Sequence, residues 1–294
     1  MQILFLILRT FRPIIYLTAL TFALAILNCS KKSTTSSSED QVPTEPVKIT
    51  TSGGGHPTAS PDGAWLAYYL PGGGIGKISV NGSQFDTLTT FGSEPDWSRT
   101  GNKIVFRSGS SLFTVDVVTG DTTRVVTGGF DDNPAWSPIG NEIAVEGSKG
   151  VTIVSYPGGA ISAVPCSDPD GSGCQGEGPT WSPDGSWIAF EDGLEILKVP
   201  RAGGTAEAVV ENLNDVSEPS WSPNGKWIAF TMEETYGIWH IWVADAQGTD
   251  SGLWQVTSDT TSDGSPCWSP DSRIIYFNSN RSGQYEIWKV GFNP

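Results

Sequence analysis

Histidine is nearly absent from this chain of 294 residues: His56 and His240 are the two, too few for a metal site built on three imidazoles. Cysteine is also sparse. The four stand at 29, 166, 174 and 267, a spread that suits no cysteine-rich zinc module. Lysine and arginine number 17 against 32 aspartates and glutamates, a net charge of -15, so a phosphate backbone is repelled and nucleic acid is excluded as a partner. Charged residues make up only 17%, too little for long solvated helices or for disorder throughout. The apolar stretch from Pro13 to Leu27 has 15 residues, short of the ~20 that span a bilayer. In contrast, Gly 35, Pro 20, Trp 12, Tyr 7 and Phe 12 describe a turn-rich, aromatic-rich chain and favour an all-β fold.

Residues 1–28 read as an export signal: Arg9 and Arg12, no acid, then the short apolar stretch ending in Ile26-Leu27-Asn28-Cys29. Their arrangement resembles a bacterial lipoprotein signal, which implies that Cys29 is lipidated and becomes the mature N-terminus. Removal of the signal leaves 15 bases and 32 acids, a net charge of -17. Residues 29–46 then form a Ser/Thr/Pro-rich tether without apolar periodicity, with a reach of at most ~55–60 Å.

From residue 47 onward the chain repeats itself. HPTASPDGAWLAYY from His56, EPDWSRTGNKIVF from Glu94, NPAWSPIGNEIAV from Asn133, GPTWSPDGSWIAF from Gly178, EPSWSPNGKWIAF from Glu218 and SPCWSPDSRIIYF from Ser265 share one pattern. Their prolines, at 57, 95, 134, 179, 219 and 266, are spaced by 38 to 47 residues, the period of a four-stranded propeller blade. Pro-x-Trp-Ser opens a strand, Ser-Pro-Asp-Gly makes a type I turn, and Ile-Ala-Phe returns. The sixth unit ends after its third strand, and Val47-Lys-Ile-Thr-Thr51 resembles the missing fourth. The prediction is a six-bladed β-propeller over 47–294, closed by an N-terminal strand that completes the last blade.

These motifs resemble the TolB-like family of WD-type propeller repeats, with near-perfect copies at 179 and 219 and a related Phe277-Asn-Ser-Asn-Arg-Ser-Gly283 stretch. TolB itself places an α/β domain before its propeller, whereas a signal and a tether precede the repeats here, so a relative rather than TolB is expected. In that family the channel mouth is where partner segments and ions are found, which is what the resemblance implies for this chain.

Several repeated residues have structural explanations. Trp97, Trp136, Trp181, Trp221 and Trp268 occupy one slot per blade, which points to packing between blades rather than to sugar stacking. Cys166 and Cys174 flank the longest insertion of an exported chain, so a disulfide is expected, and Cys267 within a strand reads as a buried thiol. Asp168-Pro-Asp-Gly-Ser-Gly173 has the start of a calcium loop, but Pro179 stands where the bidentate glutamate belongs, and a turn is the better reading.

Alternating strands put the fourth-to-first and second-to-third connections on one face, which collects 16 acids and three bases. Residues before each first strand should crowd the channel mouth: His56, Glu94, Asp132, Glu177, Glu218 and Asp263. Such carboxylates attract a basic peptide or a cation such as calcium; a merely solubilising acidic surface is the plainer alternative. No cofactor is otherwise expected, nor catalytic residues. The leading expectation is a non-catalytic, monomeric scaffold, held to the membrane through lipid alone, that binds envelope proteins or peptides. The alternatives are a propeller hydrolase or lyase, or a binder of glycans or cations. A peptidase of the prolyl-oligopeptidase type would need Gly-x-Ser-x-Gly and an α/β-hydrolase domain, and the chain has neither.

Overall fold

A computed structural model describes residues 43–129, 133–148, 150–168, 171, 173–211, 213–248 and 252–294. The expected signal, Cys29 and Asp132 lie outside the described residues. Six four-stranded antiparallel sheets follow one another along the chain, and no helix occurs among the described residues.

Blade 1 comprises Gly55–Ala59, Trp65–Tyr69, Ile75–Ser79 and Phe85–Thr87. Blade 2 comprises Ser93–Trp97, Lys103–Ser108, Ser111–Asp116 and Thr122–Thr127, and blade 3 Ala135–Trp136, Glu142–Gly147, Gly150–Ser155 and Ile161–Ala163. Blade 4 is built from Glu177–Trp181, Trp187–Asp192, Glu195–Pro200 and Glu207–Val210, and blade 5 from Val216–Trp221, Trp227–Thr235, Ile238–Asp245 and Leu253–Gln255. Blade 6 takes Asp263–Trp268, Ile274–Ser279 and Glu286–Gly291, then borrows Val47–Lys48 as its outer strand.

That closure is antiparallel, pairing Val47 with Lys289 and Lys48 with Trp288. The side chain of Ile49 is buried behind it. Thr50 locks the junction, because its hydroxyl donates to Glu286 Oε2 at 2.6 Å and accepts the Ile287 N–H at 2.8 Å.

The core is divided among the seams. Each pair of adjacent blades encloses its own apolar cluster, such as Val105, Leu112, Trp136, Ile143 and Val154 between blades 2 and 3, or Leu66, Tyr68, Tyr276 and Ile287 between blades 6 and 1. The repeated tryptophans work in these seams. Trp97 Nε1 donates to Thr58 O at 3.1 Å, Trp181 Nε1 to Ala135 O at 3.0 Å and Trp268 Nε1 to Ser220 O at 3.0 Å. A polar indole edge is thereby satisfied while its apolar body is buried, as a core Trp requires.

Cys166 and Cys174 are bonded to each other, with Cα atoms 5.7 Å apart. The bridge borders a short parallel pair, Cys166–Ser167 with Gly204–Thr205, that braces the long insertion against blade 4. Cys267 is free. Burial pushes its thiol up to about 12, so it is protonated and inert at neutral pH.

Candidate functional site: the channel mouth

Every first strand enters the ring through the same strained step. The residue before its proline lies in the left-handed region: His56 at φ 48°, Glu94 at 53°, Asn133 at 44°, Gly178 at 53°, Glu218 at 55° and Ser265 at 49°. Side chains disfavour this conformation, and residues before proline usually adopt extended angles. Proline has no N–H to give to the ladder, so register slips there, as between Gly55 and Thr58 or Ser93 and Asp96. The result is a bulge that turns each such residue toward the central channel.

Side chains from the preceding blade hold this strained ring in place. Glu94 Oε2 accepts the Asn133 N–H at 3.1 Å, and Glu218 Oε2 accepts the Ser265 N–H at 2.6 Å. The Glu191 carboxyl accepts the N–H of Glu218, and Asn278 Oδ1 that of His56 at 3.5 Å. A second tier lies one step deeper. Asp96 accepts the Trp136 N–H at 2.6 Å and the Thr58 hydroxyl at 2.8 Å, while Cys267 Sγ accepts the Ala59 N–H at 3.2 Å.

The expected mouth residues divide between two environments. His56, Glu94 and Glu218 line the channel in one ring with Asn133, Gly178 and Ser265. Glu94 is engaged by Arg107, whose Nε and Nη2 donate to its two oxygens at 2.8 and 3.0 Å. Glu177 stands one residue before the ring position, opposite Glu191 in the blade 4 ladder. Asp263 stands two residues before it and is buried: Arg281 Nη2 donates to both of its oxygens at 2.9 Å, and His240 Nδ1 lies 3.7 Å away. The expectation for blades 3, 4 and 6 followed the nearest acid, whereas the structure follows a constant distance from proline. That constant distance was the available signal.

Asp96 was not expected. It is the one acid in the Pro-x-Trp slot, where the other blades carry Thr58, Ala135, Thr180, Ser220 and Cys267. Burial pushes its carboxyl up to about 6, against the opposing pull of the Trp136 and Thr58 hydrogen bonds. Glu191 is pushed further, to about 8, first by burial and then by the charges of Glu177, Asp215 and Glu218. Among the described residues Glu177, Glu191 and Asp215 face no lysine or arginine in ion-pair contact, and Glu218 meets only His56, whose Nδ1 lies 3.6 Å from its Oε1, so the blade 4–5 side of the mouth is rich in acid.

Asp168, Cys174 and Asp192 also approach one another. The Cys174 sulfur belongs to the disulfide, so the trio offers an ion no thiolate. Gly171 N–H donates to Asp168 O at 2.9 Å, and residues 169, 170 and 172 of the expected turn lie outside the described residues.

The channel itself is a cavity of about 160 Å³, lined by the six ring residues, their prolines and the residues that follow. It is smaller than the ~300 Å³ at which small-molecule sites begin, but it admits a single side chain. Two shallow depressions flank it, one of about 440 Å³ walled by Tyr69, Pro71 and Tyr285, and one of about 280 Å³ beside Trp239. Both share His56, Asn278 and Tyr285.

Fold and site together define a six-bladed β-propeller whose proline-lined channel opens on one acidic face. Residues 176–294, the last three blades, match the TolB beta propeller domain family. No curated protein matches the sequence. Among solved structures, an Agrobacterium tumefaciens protein assigned as TolB is 17% identical, with a TM-score of 0.64 over 85% of this chain and 97% of its own. TolB from Acinetobacter baumannii is 16% identical, with a TM-score of 0.58, and this chain spans 83% of itself and 65% of that protein. The oligogalacturonate lyase of Vibrio parahaemolyticus is 13% identical, with a TM-score of 0.56 over 87% of this chain and 95% of its own. At these identities the likeness is one of fold.

Proposed function

We propose that this chain is a non-catalytic propeller that binds a basic protein segment at its acidic channel mouth. In this reading it works in a bacterial envelope, tethered through Cys29. The observation that carries it is the crowding of Glu177, Glu191, Asp215 and Glu218, where burial first and the neighbouring acids second keep a proton on Glu191 up to about 8. A lysine or arginine from a partner relieves that repulsion, so the site gains more from a cation than from any neutral ligand. The depression beside Trp239 and Tyr285, which Glu218 also lines, accepts an apolar neighbour of that cation.

The absence of chemistry in this proposal has a geometric basis. His56, Glu218 and Ser265 meet at the mouth, but the Ser265 hydroxyl donates to Glu218 at 2.8 Å. His56 faces both of them through the same atom, Nδ1, at 3.3 and 3.6 Å. A nucleophilic relay needs the serine on one imidazole nitrogen and the carboxylate on the other.

The test is capture of envelope proteins on the mature propeller, alongside a variant with Glu177→Gln, Glu191→Gln and Asp215→Asn. A partner retained by the wild type and lost by a variant whose melting temperature has not fallen supports the proposal. Equal capture by both forms removes the acidic mouth from the interaction, and capture by neither favours a small-ligand role.

A further inference from the structure

On the face opposite the mouth, turns joining first to second strands lie directly against one another across five of the six seams, and across the sixth they meet only through the Arg99 side chain. The turn glycine of one blade lies against the turn before it: a Cβ on Gly63 would stand 3.6 Å from Pro270, one on Gly101 3.6 Å from Pro61 and one on Gly225 3.4 Å from Pro183. One on Gly185 would collide with Ile139 at 2.5 Å. In the blade 5–6 seam the Asn224 N–H donates to Ser272 Oγ at 3.0 Å.

The seam between blades 2 and 3 differs. A Cβ on Gly140 would meet only Ser137 of its own turn. The cause is legible in the sequence, because blade 2 carries Arg99 where the other blades carry Pro61, Pro138, Pro183, Pro223 and Pro270. A cavity of about 380 Å³ opens there, within the ~300–1,000 Å³ range of small-molecule sites.

Its walls combine aromatic surface with positive charge. Trp136 and Tyr156 present rings with centroids 4.9 Å apart, and Ile139 adds an aliphatic edge. Lys103 stands where blades 1, 4 and 5 carry Trp65, Trp187 and Trp227. Arg99 makes no ion pair among the described residues; its Nη1 donates to Ile139 O at 3.3 Å. Lys103 Nζ lies 3.5 Å from Asp116 Oδ2, while Oδ1 of that carboxylate already accepts the N–H groups of Val118 and Thr119. Glu142, the acid of blade 3 nearest in sequence, is taken up by Arg201 at 2.6 and 2.9 Å. A pocket with two cations against one shared carboxylate is therefore built into a chain of net charge -15.

We infer that this pocket binds a small aromatic carboxylate, its ring against Trp136, Tyr156 and Ile139 and its carboxylate between Arg99 and Lys103. Guanidinium and ammonium groups recognise the anion, and the ring surfaces recognise the flat apolar body. The site is independent of the channel mouth, on the opposite face.

Calorimetric titration with benzoate, with neutral benzamide and with inorganic phosphate tests it. Benzoate is expected to saturate a single site below ~10 mM, with benzamide and phosphate at least ~tenfold weaker. Arg99→Pro restores the residue of the sister turns and should abolish benzoate binding while holding or raising the melting temperature. Lys103→Gln leaves the turn alone and should weaken benzoate by about tenfold. Absence of saturable benzoate binding to the wild type, undiminished binding to folded Arg99→Pro, or phosphate binding as tight as benzoate would overturn the assignment.

Discussion

Glu191 holds its proton up to about 8, far above the ordinary 4.5, because burial and three neighbouring acids penalise its charge. A carboxyl raised in this way makes the folded chain retain a proton that the unfolded chain has released. Its contribution to stability is fully present below pH 4.5 and is lost as pH rises from there through about 8. Asp96 acts with the same sign between 3.8 and about 6. Asp62 and Asp184, both lowered by hydrogen bonds from Ser60 and Ser182, act with the opposite sign below 3.8 and do not overlap this window. The melting temperature of the wild type should therefore fall as pH rises from 4.5 to about 8. Glu191→Gln should flatten that fall and stabilise the protein at neutral pH, as thermal scans at stepped pH would read directly. An unchanged profile in the variant would show that Glu191 is ordinary.

At the scale of the element, the first strand of each blade carries both packing and site. Its Pro-x-Trp order was readable from one sequence, since six copies carry the proline at regular intervals and five of them, all but the first with Ala59, carry tryptophan two residues later. The left-handed residue before the proline was not readable, because only a ring of neighbouring blades supplies the side chains that hold His56, Asn133 and Glu218 in that conformation. The strand formed by Val47–Lys48 lies at the other extreme, short and exposed, yet it anchors Ile49 and Thr50 in the closing seam. Deleting 47–51 uncovers Ile49's partners and strips Glu286 of the Thr50 hydroxyl donor. At ~1.5–3 kcal/mol for a buried isoleucine alone, the melting temperature should drop by about 5 °C or more. Differential scanning calorimetry of the truncated chain measures this.

At the scale of the whole molecule, charge is distributed by face. The mouth gathers Glu177, Glu191, Asp215 and Glu218, while the opposite face opens a cationic pocket at Arg99 and Lys103. An acidic mouth steers a basic partner over distances beyond contact, and salt screens such steering with a length of ~10 Å at 0.1 M. Association of a basic partner with the mouth should slow by about tenfold or more between ~50 and ~500 mM salt, with dissociation changing less. Stopped-flow measurement across that range checks it, and a rate indifferent to salt would mean that shape rather than charge guides the encounter.

The amino-acid order by itself determined the blade: the proline spacing, the Ser-Pro-Asp-Gly turns, the tryptophan slot and the resemblance of 47–51 to a missing outer strand are local patterns that need no neighbour to be legible. It also excluded a metal site built on three imidazoles, because the chain has two histidines. Only the closed ring decided which acids act together. Asp263 is drawn inward because Arg281 reaches it from the next loop of its blade, and Glu94 is consumed by Arg107, whereas the Glu191 carboxyl is raised to about 8 because it is buried and acids of two adjacent blades converge on it. The cavity beside Arg99 is of the same kind. One missing proline is visible in the sequence, but the space it leaves exists only between two blades.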